Sequence, residues 1–332
     1  MFRFDLVLTK IAVMFLVIIV GWFARKRGYL SGDATRVIGR FATDIIFPAM
    51  VFTGLIRTVD RAIFVHELGV VVIGAIVIPL GFLVGAMLLP LIGGGVHRRT
   101  FVFLSGMANW IFLPLPIVDA VYGNDGVRFL LLFNMGAQCA IWTAGIAILM
   151  GGRIDRQAIR NLLLNPGLLG TVGGMTVALA WPGSRDILLA GNEASGWQIP
   201  MSVVCQSLEL IGTLTIPMAL IVTGAQLGGL PLKGYALSRP VAGVMLARLF
   251  VTPVLVLVIV NVIEWTTGYR LNDLQRMTTY IIAAMPVAVS TSMMIERYDG
   301  DTHFGALAIF YTTLFSMVTV PVMCMVVSRF RW

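Results

Sequence analysis

The chain has 332 residues, of which 58% are hydrophobic and only 12% charged, and its mean hydropathy is +0.92. Soluble domains carry about 25% charged residues. Apolar stretches of about 20 residues, long enough to span a bilayer, recur along the whole chain with short connectors between them. This pattern excludes a soluble domain and predicts a polytopic membrane protein.

The formal net charge is +8, from 24 Lys and Arg against 16 Asp and Glu. In a chain this apolar, such an excess is typical of loops that face the cytoplasm, so no nucleic-acid partner is expected. The three histidines fall in loops without helical pairing, and the three cysteines lie in apolar segments. We therefore predict no metal site and no cofactor.

Apolar windows between charged breaks predict ten transmembrane helices. They lie near residues 6–24, 37–57, 64–91, 100–122, 127–150, 162–181, 199–229, 239–264, 275–297 and 304–328. Lys and Arg favour the loops after the first, third, fifth and seventh spans, and positive loops are cytoplasmic. We expect a multi-pass protein of the plasma (inner) membrane with extracytoplasmic N- and C-termini.

The two halves of the chain resemble each other. Prolines recur at a nearly constant interval in the second and seventh, third and eighth, and fourth and ninth spans: Pro48 and Pro217, Pro79 and Pro253, and Pro114 with Pro116 and Pro286. A unit of five spans is odd, so the second copy must insert upside down. The predicted fold is all-α, a 5+5 inverted repeat with residues 1–150, a short cytoplasmic linker at 151–161, and residues 162–332.

The prolines in the fourth and ninth spans are predicted to break these helices near their middle. A proline inside a helix removes a backbone hydrogen bond, and hydrocarbon offers no water to replace it. Half-helices that begin at these prolines would point partly positive N-termini at the interior, which favours an anion. The half-helices before the breaks would end in unpaired carbonyls, which could bind Na⁺ or accept a hydrogen bond from water or a side chain. Matched breaks of this kind predict a transporter that binds its substrate there.

Around the breaks, the chain resembles the auxin efflux carrier family, which includes the plant PIN-FORMED carriers and many bacterial transporters. The resemblance rests on five segments: residues 109–123, 138–142, 165–166, 284–298 and 320–321. It implies an architecture like that of bile-acid symporters and Na⁺/H⁺ antiporters, with crossing fourth and ninth helices. Helices 3–5 and 8–10 would form a transport domain, and helices 1, 2, 6 and 7 a scaffold. The implied partners are the lipid bilayer and a second copy, as a homodimer.

The resemblance assigns substrate contacts to Asn109 and Gln138, and it places Val51 on the facing scaffold helix. The full predicted substrate-binding set is Asn109, Pro114, Pro116, Gln138, Pro286, Val287, Val51 and Thr143. Asn109 has the alternative of capping a broken helix. A coupling role is left open for Asp119 and for Glu209, which has the alternative of pairing with Arg248 or with loop groups. The coupling ion, Na⁺ or H⁺, is undetermined.

This chain departs from the plant carriers in three ways. Pro114 stands where glycine is common and predicts a stiffer break, Thr143 stands where tyrosine is usual, and the long cytoplasmic loop is absent. The predicted function is alternating-access transport of a small carboxylate such as malate, malonate or an auxin-like acid, with auxin itself disfavoured. Cation/proton antiport and a non-transporting membrane sensor are the alternatives. No catalytic arrangement of side chains is found, so an enzyme is not predicted.

Overall fold

The computed structural model describes residues 4–92, 98–152, 156–181, 183–190, 193, 195–229, 237–268 and 270–329. The main helices are α1 (Phe4–Lys26), α2 (Gly32–Thr58), α3 (Leu68–Ile92), α4 (Arg98–Gly106), α5 (Pro114–Leu149), α6 (Pro166–Ala180), α7 (Gln198–Thr213), α8 (Thr215–Gly229), α9 (Arg239–Thr266), α10 (Asp273–Ala283), α11 (Thr291–Arg297) and α12 (Thr302–Arg329). Among the described residues, three short α-helices lie between them, at Arg61–His66, Arg156–Leu163 and Ser184–Ala190.

Seven helical segments of the described chain are long and apolar enough to cross a membrane. They are α1, α2, α3, α5, α7 together with α8, α9, and α12. The prediction of a multi-pass helical membrane protein is confirmed at this level. Of the predicted linker at 151–161, residues 153–155 lie outside the described ranges.

The predicted fourth and ninth spans are interrupted. Residues 107–113 separate α4 from α5, and residues 284–290 separate α10 from α11. We call these two non-helical segments the break pair. Gly123, with φ 57° and ψ −144°, kinks α5 where the fourth predicted span gives way to the fifth. Glycine tolerates this positive φ because it has no Cβ.

Prolines and capping side chains determine where several helices begin. Pro114 and Pro166 occupy the first turns of α5 and α6, where a missing N–H costs nothing. The Asn165 side chain accepts a hydrogen bond from the N–H of Leu168 and caps α6. Asn272 and Gln275 form a reciprocal capping box at the start of α10.

Two helix pairs approach each other closely through reciprocal glycines. Between α1 and α8, a Cβ on Gly224 would lie 1.9 Å from the carbonyl oxygen of Ile18. Between α3 and α5, a Cβ on Gly136 would lie 1.9 Å from the carbonyl oxygen of Val71. Small residues allow such packing in membranes, where helix association depends on close contact rather than on the hydrophobic effect. Each pair is therefore tightly joined.

Candidate binding site at the break pair

The two segments of the break pair contact each other directly in the protein core. The N–H of Asn109 donates to the carbonyl of Pro286 at 2.9 Å, and the N–H of Ala288 donates to the carbonyl of Met107 at 3.0 Å. Ala108 and Val287, both 0% exposed, form an isolated antiparallel bridge between these bonds. Buried backbone polar groups need partners, and here the two breaks supply them for each other.

The half-helices after the breaks start differently. As predicted, α5 begins at Pro114, and the Asn109 side-chain oxygen accepts a hydrogen bond from the N–H of Phe112 at 3.1 Å just before it. By contrast, α11 begins at Thr291 and not at Pro286, so that prediction is wrong. The reason is that backbone groups of Pro286 and Ala288 are used in pairing with the other break.

A cavity of about 860 Å³ lies against the break pair. This volume falls within the range of about 300–1,000 Å³ that is usual for small-molecule sites. Its lining includes backbone and side chains of both breaks, carboxamides of α5, and charged residues of α2 and α11. The charged residues are three arginines and two carboxylates: Arg36, Arg40, Arg297, Asp44 and Glu296.

Four carboxamides line the cavity: Asn109, Asn134, Gln138 and Asn165. The indole N–H of Trp110 donates to the side-chain oxygen of Asn134 at 3.0 Å. The indole N–H of Trp142 donates to the side-chain oxygen of Gln138, also at 3.0 Å. Asn134 is 0% exposed, and its Nδ2 has no hydrogen-bond partner among the residues that the structure describes.

Sequence reasoning placed Asn109 and Gln138 in the site and omitted Asn134. The available signal was the four-residue spacing of Asn134 and Gln138, which places both on one face of a helix. The Asn109 side chain also accepts a hydrogen bond just before α5, as its alternative capping role requires. Asn109 therefore has both roles: it caps the chain and it lines the cavity.

Arg248 lies at the end of α10. It is 1% exposed and sits in a widened turn of α9, residues 247–251. Its Nη2 donates to the carbonyl of Ala283 at 2.7 Å, and its Nε donates to the carbonyl of Met285 at 3.1 Å. None of the ion pairs in the described part of the chain includes Arg248. A buried cation without a carboxylate is costly, and such residues in membrane proteins mark functional sites.

The residues considered for coupling lie elsewhere. Glu209 forms an ion pair with Arg57 and not with Arg248. Asp119 is exposed, and neither carboxylate lines the cavity. Within the described ranges, no group of three or more His, Cys, Asp or Glu side chains is placed to hold a metal ion.

The remaining predicted site residues lie outside the cavity lining: Val51, Thr143, Pro114, Pro116, Pro286 and Val287. Val51 is 0% exposed in the core of the protein. The exposed Thr143 donates its hydroxyl to the carbonyl of Cys139 at 2.6 Å. The structure thus brings together Asn109 and Gln138 from the predicted set, whereas Pro286 takes part through its backbone carbonyl.

A cavity lined in part by carboxamides and charged residues, next to paired helix breaks in a protein of several membrane-spanning helices, is an arrangement found in membrane transporters. A family model described as membrane transport protein matches residues 6–161 and 150–324 of the chain. The chain belongs to this family, the auxin efflux carriers, and the resemblance found in its sequence is confirmed.

Two archaeal proteins are similar over nearly their whole length. An uncharacterised transporter of Methanocaldococcus jannaschii is 21% identical over 318 residues, which is 93% of this chain and 95% of the relative. An uncharacterised transporter of Methanothermobacter thermautotrophicus is 22% identical over 322 residues, or 94% of this chain and 95% of the relative. The similarity therefore includes both halves of the chain.

Proposed function

We propose that this protein is a secondary transporter of a small organic anion that binds at the break pair. The ligand is a carboxylate such as malate, malonate or an auxin-like acid. Arg248 is the observation that carries the choice of an anion. It does not line the cavity, but it holds a buried positive charge against the carbonyl of Met285 in the break pair, and no ion pair of the described residues includes it. Coulomb attraction is strong in a medium of low dielectric constant, so a buried arginine attracts an anion and repels a cation.

The charges at the cavity support the same choice. Three arginines and two carboxylates are in its lining, an excess of one positive charge. An excess of one sign of charge in a cleft raises the local concentration of ligands of the opposite sign. The carboxamides of the lining then supply neutral donors.

The proposed architecture has ten spans in a 5+5 inverted repeat whose fourth and ninth helices cross at the break pair. It is supported by the direct hydrogen bonds between the breaks and by the matched prolines. The close glycine contacts join α1 with α8 and α3 with α5. These contacts fall within the proposed scaffold (spans 1, 2, 6 and 7) and the proposed transport domain (spans 3–5 and 8–10), respectively.

Alternating access then follows from rigid movement of one unit against the other. Residues of the proposed scaffold on α2 and α6 line the cavity together with residues of α5 and α11. With the positive loops assigned to the cytoplasm, the cavity opens inward, and both termini lie outside the inner membrane. We propose a homodimer joined through the scaffold, which native mass spectrometry of the detergent-solubilised protein can test.

Cation/proton antiport is less well supported on this architecture. Arg248 occupies the carbonyls at the end of α10 that a bound cation would otherwise use. The carboxylates in the described cavity lining, Asp44 and Glu296, are exposed residues and not buried ones beside the breaks. A membrane sensor would bind the acid without transporting it, and the flux measurement below distinguishes it from a transporter.

The test is uptake of radiolabelled malate and malonate into proteoliposomes, with protein-free liposomes as the control. We expect saturable uptake that unlabelled acid inhibits. Absence of flux for every member of a broad carboxylate panel would refute the proposal. Exchange of Na⁺ or Li⁺ for protons without an organic acid would establish the antiporter instead, and thermal stabilisation by an acid without flux would establish a sensor.

A further inference from the structure

Each of the four carboxamides in the cavity wall already has its oxygen occupied by a group that can only donate. The four pairs are Phe112 N–H with Asn109 Oδ1, Trp110 indole N–H with Asn134 Oδ1, Trp142 indole N–H with Gln138 Oε1, and Leu168 N–H with Asn165 Oδ1. Backbone and indole N–H groups have no acceptor capacity, so each must face the amide oxygen and not the amide nitrogen. The NH₂ group of each amide is left for another acceptor.

Asn134 shows this most clearly. Its side chain is 0% exposed, it lies in the cavity lining, and within the described ranges its Nδ2 has no hydrogen-bond partner. A buried donor without an acceptor is costly, and proteins satisfy nearly all such groups. Because the Trp110 indole prevents the amide from turning over, the protein keeps this donor vacant at the wall of the cavity. An acceptor supplied by a ligand removes the cost.

Asn134 and Gln138 repeat the same arrangement one helical turn apart. Residues at this spacing lie above one another, with about 5–6 Å between their Cβ atoms. Both amides belong to α5, and both are held by tryptophans that also line the cavity. Two donors at this separation suit a ligand with several acceptor oxygens, such as a short dicarboxylate.

We propose that Trp110 and Trp142 are positioning residues that hold Asn134 and Gln138 as donor-only contacts for the substrate. Asn134 is thereby a further substrate-binding residue, and the cavity selects the fully ionised acid over its amide. Malonamide has the same chain length as malonate, but it places NH₂ groups where the acid has acceptor oxygens. An NH₂ group of malonamide that faces the NH₂ group of Asn134 or Gln138 leaves both donors without an acceptor. This is why the cavity should bind malonate more tightly than malonamide. This inference rests on the proposed function.

Purified protein in detergent is titrated with malonate and with malonamide, and affinity is measured by calorimetry and thermal shift. We expect malonate to bind at least about tenfold more tightly than malonamide, since hydrogen bonds to charged groups are strong. Trp110→Phe removes the indole N–H and lets the amide turn, so the preference for malonate should fall toward equality. Trp197→Phe is the matched control at an indole 69% exposed, and it should leave the preference unchanged.

Two variants of Asn134 distinguish its contact with the ligand from its packing in the protein core. Asn134→Leu has nearly the same shape and should weaken malonate binding by about tenfold or more. Asn134→Asp still accepts from Trp110 but places a negative charge at the wall, so malonate binding should be lost. Wild-type preference for malonate in the Trp110→Phe protein, or full malonate affinity in the Asn134→Leu protein, overturns the proposal.

A ligand-free measurement tests the inference separately from the proposed function. The double variant Trp110→Phe/Asn134→Leu is compared with Trp110→Phe alone, so that the smaller ring is common to both proteins. If Nδ2 is vacant, replacing the amide by Leu in this background removes an unsatisfied buried donor, and we expect the double variant to melt at or above Trp110→Phe. Melting well below Trp110→Phe shows that Nδ2 has a structural partner and overturns the inference. If no acid binds wild-type protein, the proposed function fails, and the melting comparison still decides the role of Asn134.

Discussion

The main-chain N–H of Asn109 donates a 2.9 Å hydrogen bond to the carbonyl of Pro286, and this bond joins helix breaks from opposite halves of the chain. The Asn109 side chain meanwhile accepts from the N–H of Phe112 and lines the cavity. One residue therefore contributes to the junction, to the start of α5 and to the wall of the site. Substitution of Asn109 can separate these contributions. It changes the side-chain bond from Phe112 and the cavity wall, whereas the main-chain bond to Pro286 remains.

Replacement of Asn109 should distinguish its cap from its contact with ligand. Asn109→Ala removes both, so we expect weaker malonate binding and a stability loss of about 1 kcal/mol, typical of a lost cap. Asn109→Asp keeps the acceptor for Phe112 and should retain the melting temperature, but its charge should abolish binding of an anion. The checks are thermal denaturation and calorimetry. Wild-type affinity in both variants would remove Asn109 from the site.

Arg248 should be required for both stability and anion binding. Arg248→Gln removes a charge and both charge-assisted bonds to the carbonyls of Ala283 and Met285, at a cost of up to about 3 kcal/mol. We expect at least about a tenfold loss of malonate affinity in the fraction that remains folded by size-exclusion chromatography. Arg248→Lys keeps the charge without the planar fork and should retain part of the affinity.

Comparison of the wild-type protein with Arg248→Gln also tests the exclusion of cations. In the wild-type protein, replacing Na⁺ by choline should leave malonate uptake unchanged, because Arg248 already occupies the carbonyls at the end of α10. In Arg248→Gln those carbonyls become available, so Na⁺ should raise the melting temperature relative to choline. Wild-type uptake that requires Na⁺ would contradict this account of Arg248.

Glu209 and Asp119 test the coupling hypothesis. The side chains of Arg57 and Glu209 are 37% and 32% exposed, and ion pairs near the surface contribute about 0–1 kcal/mol. We expect Glu209→Gln and Asp119→Asn to leave the pH dependence of malonate uptake unchanged, with little loss of stability. A shifted pH profile in either variant would instead identify that carboxylate as a proton carrier.

A more buried ion pair provides the comparison for Glu209. Glu67 and Arg128 are each 16% exposed in their side chains and are joined by two hydrogen bonds, at 2.8 and 3.0 Å. Glu67→Gln leaves the largely buried Arg128 with only the exposed Asp125, 2.7 Å away, as a counter-charge, and an incompletely compensated buried charge is costly. Glu67→Gln should therefore lower the melting temperature more than Glu209→Gln.

The contact between α1 and α8 should not tolerate a side chain. A Cβ on Gly224 would lie 1.9 Å from the carbonyl oxygen of Ile18, which is backbone and cannot move aside alone. Gly224→Ala should lower the melting temperature markedly. Gly173→Ala is the matched control, since its Cβ would meet Phe52 at 3.6 Å, an ordinary contact distance. Equal melting temperatures for the two variants would contradict the close packing of α1 and α8.

Much of the local structure was predictable because it depends on near neighbours in sequence. Apolar windows predicted membrane helices, since a chain in hydrocarbon must satisfy its backbone internally. Prolines marked the start of α5 and α6 because the first helical turn needs no N–H. Asn109 and Gln138 were found from the family pattern, and both line the cavity.

The sequence by itself determined the class of protein, the interrupted helices and the family, because composition, proline and motif act locally. Only the tertiary structure decided that α11 begins at Thr291, that Glu209 pairs with Arg57, and that Arg248 caps α10. It also decided that Trp110 holds Asn134 with its donor vacant. Each of these depends on which distant segments meet in the core, where a buried polar group must take whichever partner packing brings within hydrogen-bond distance.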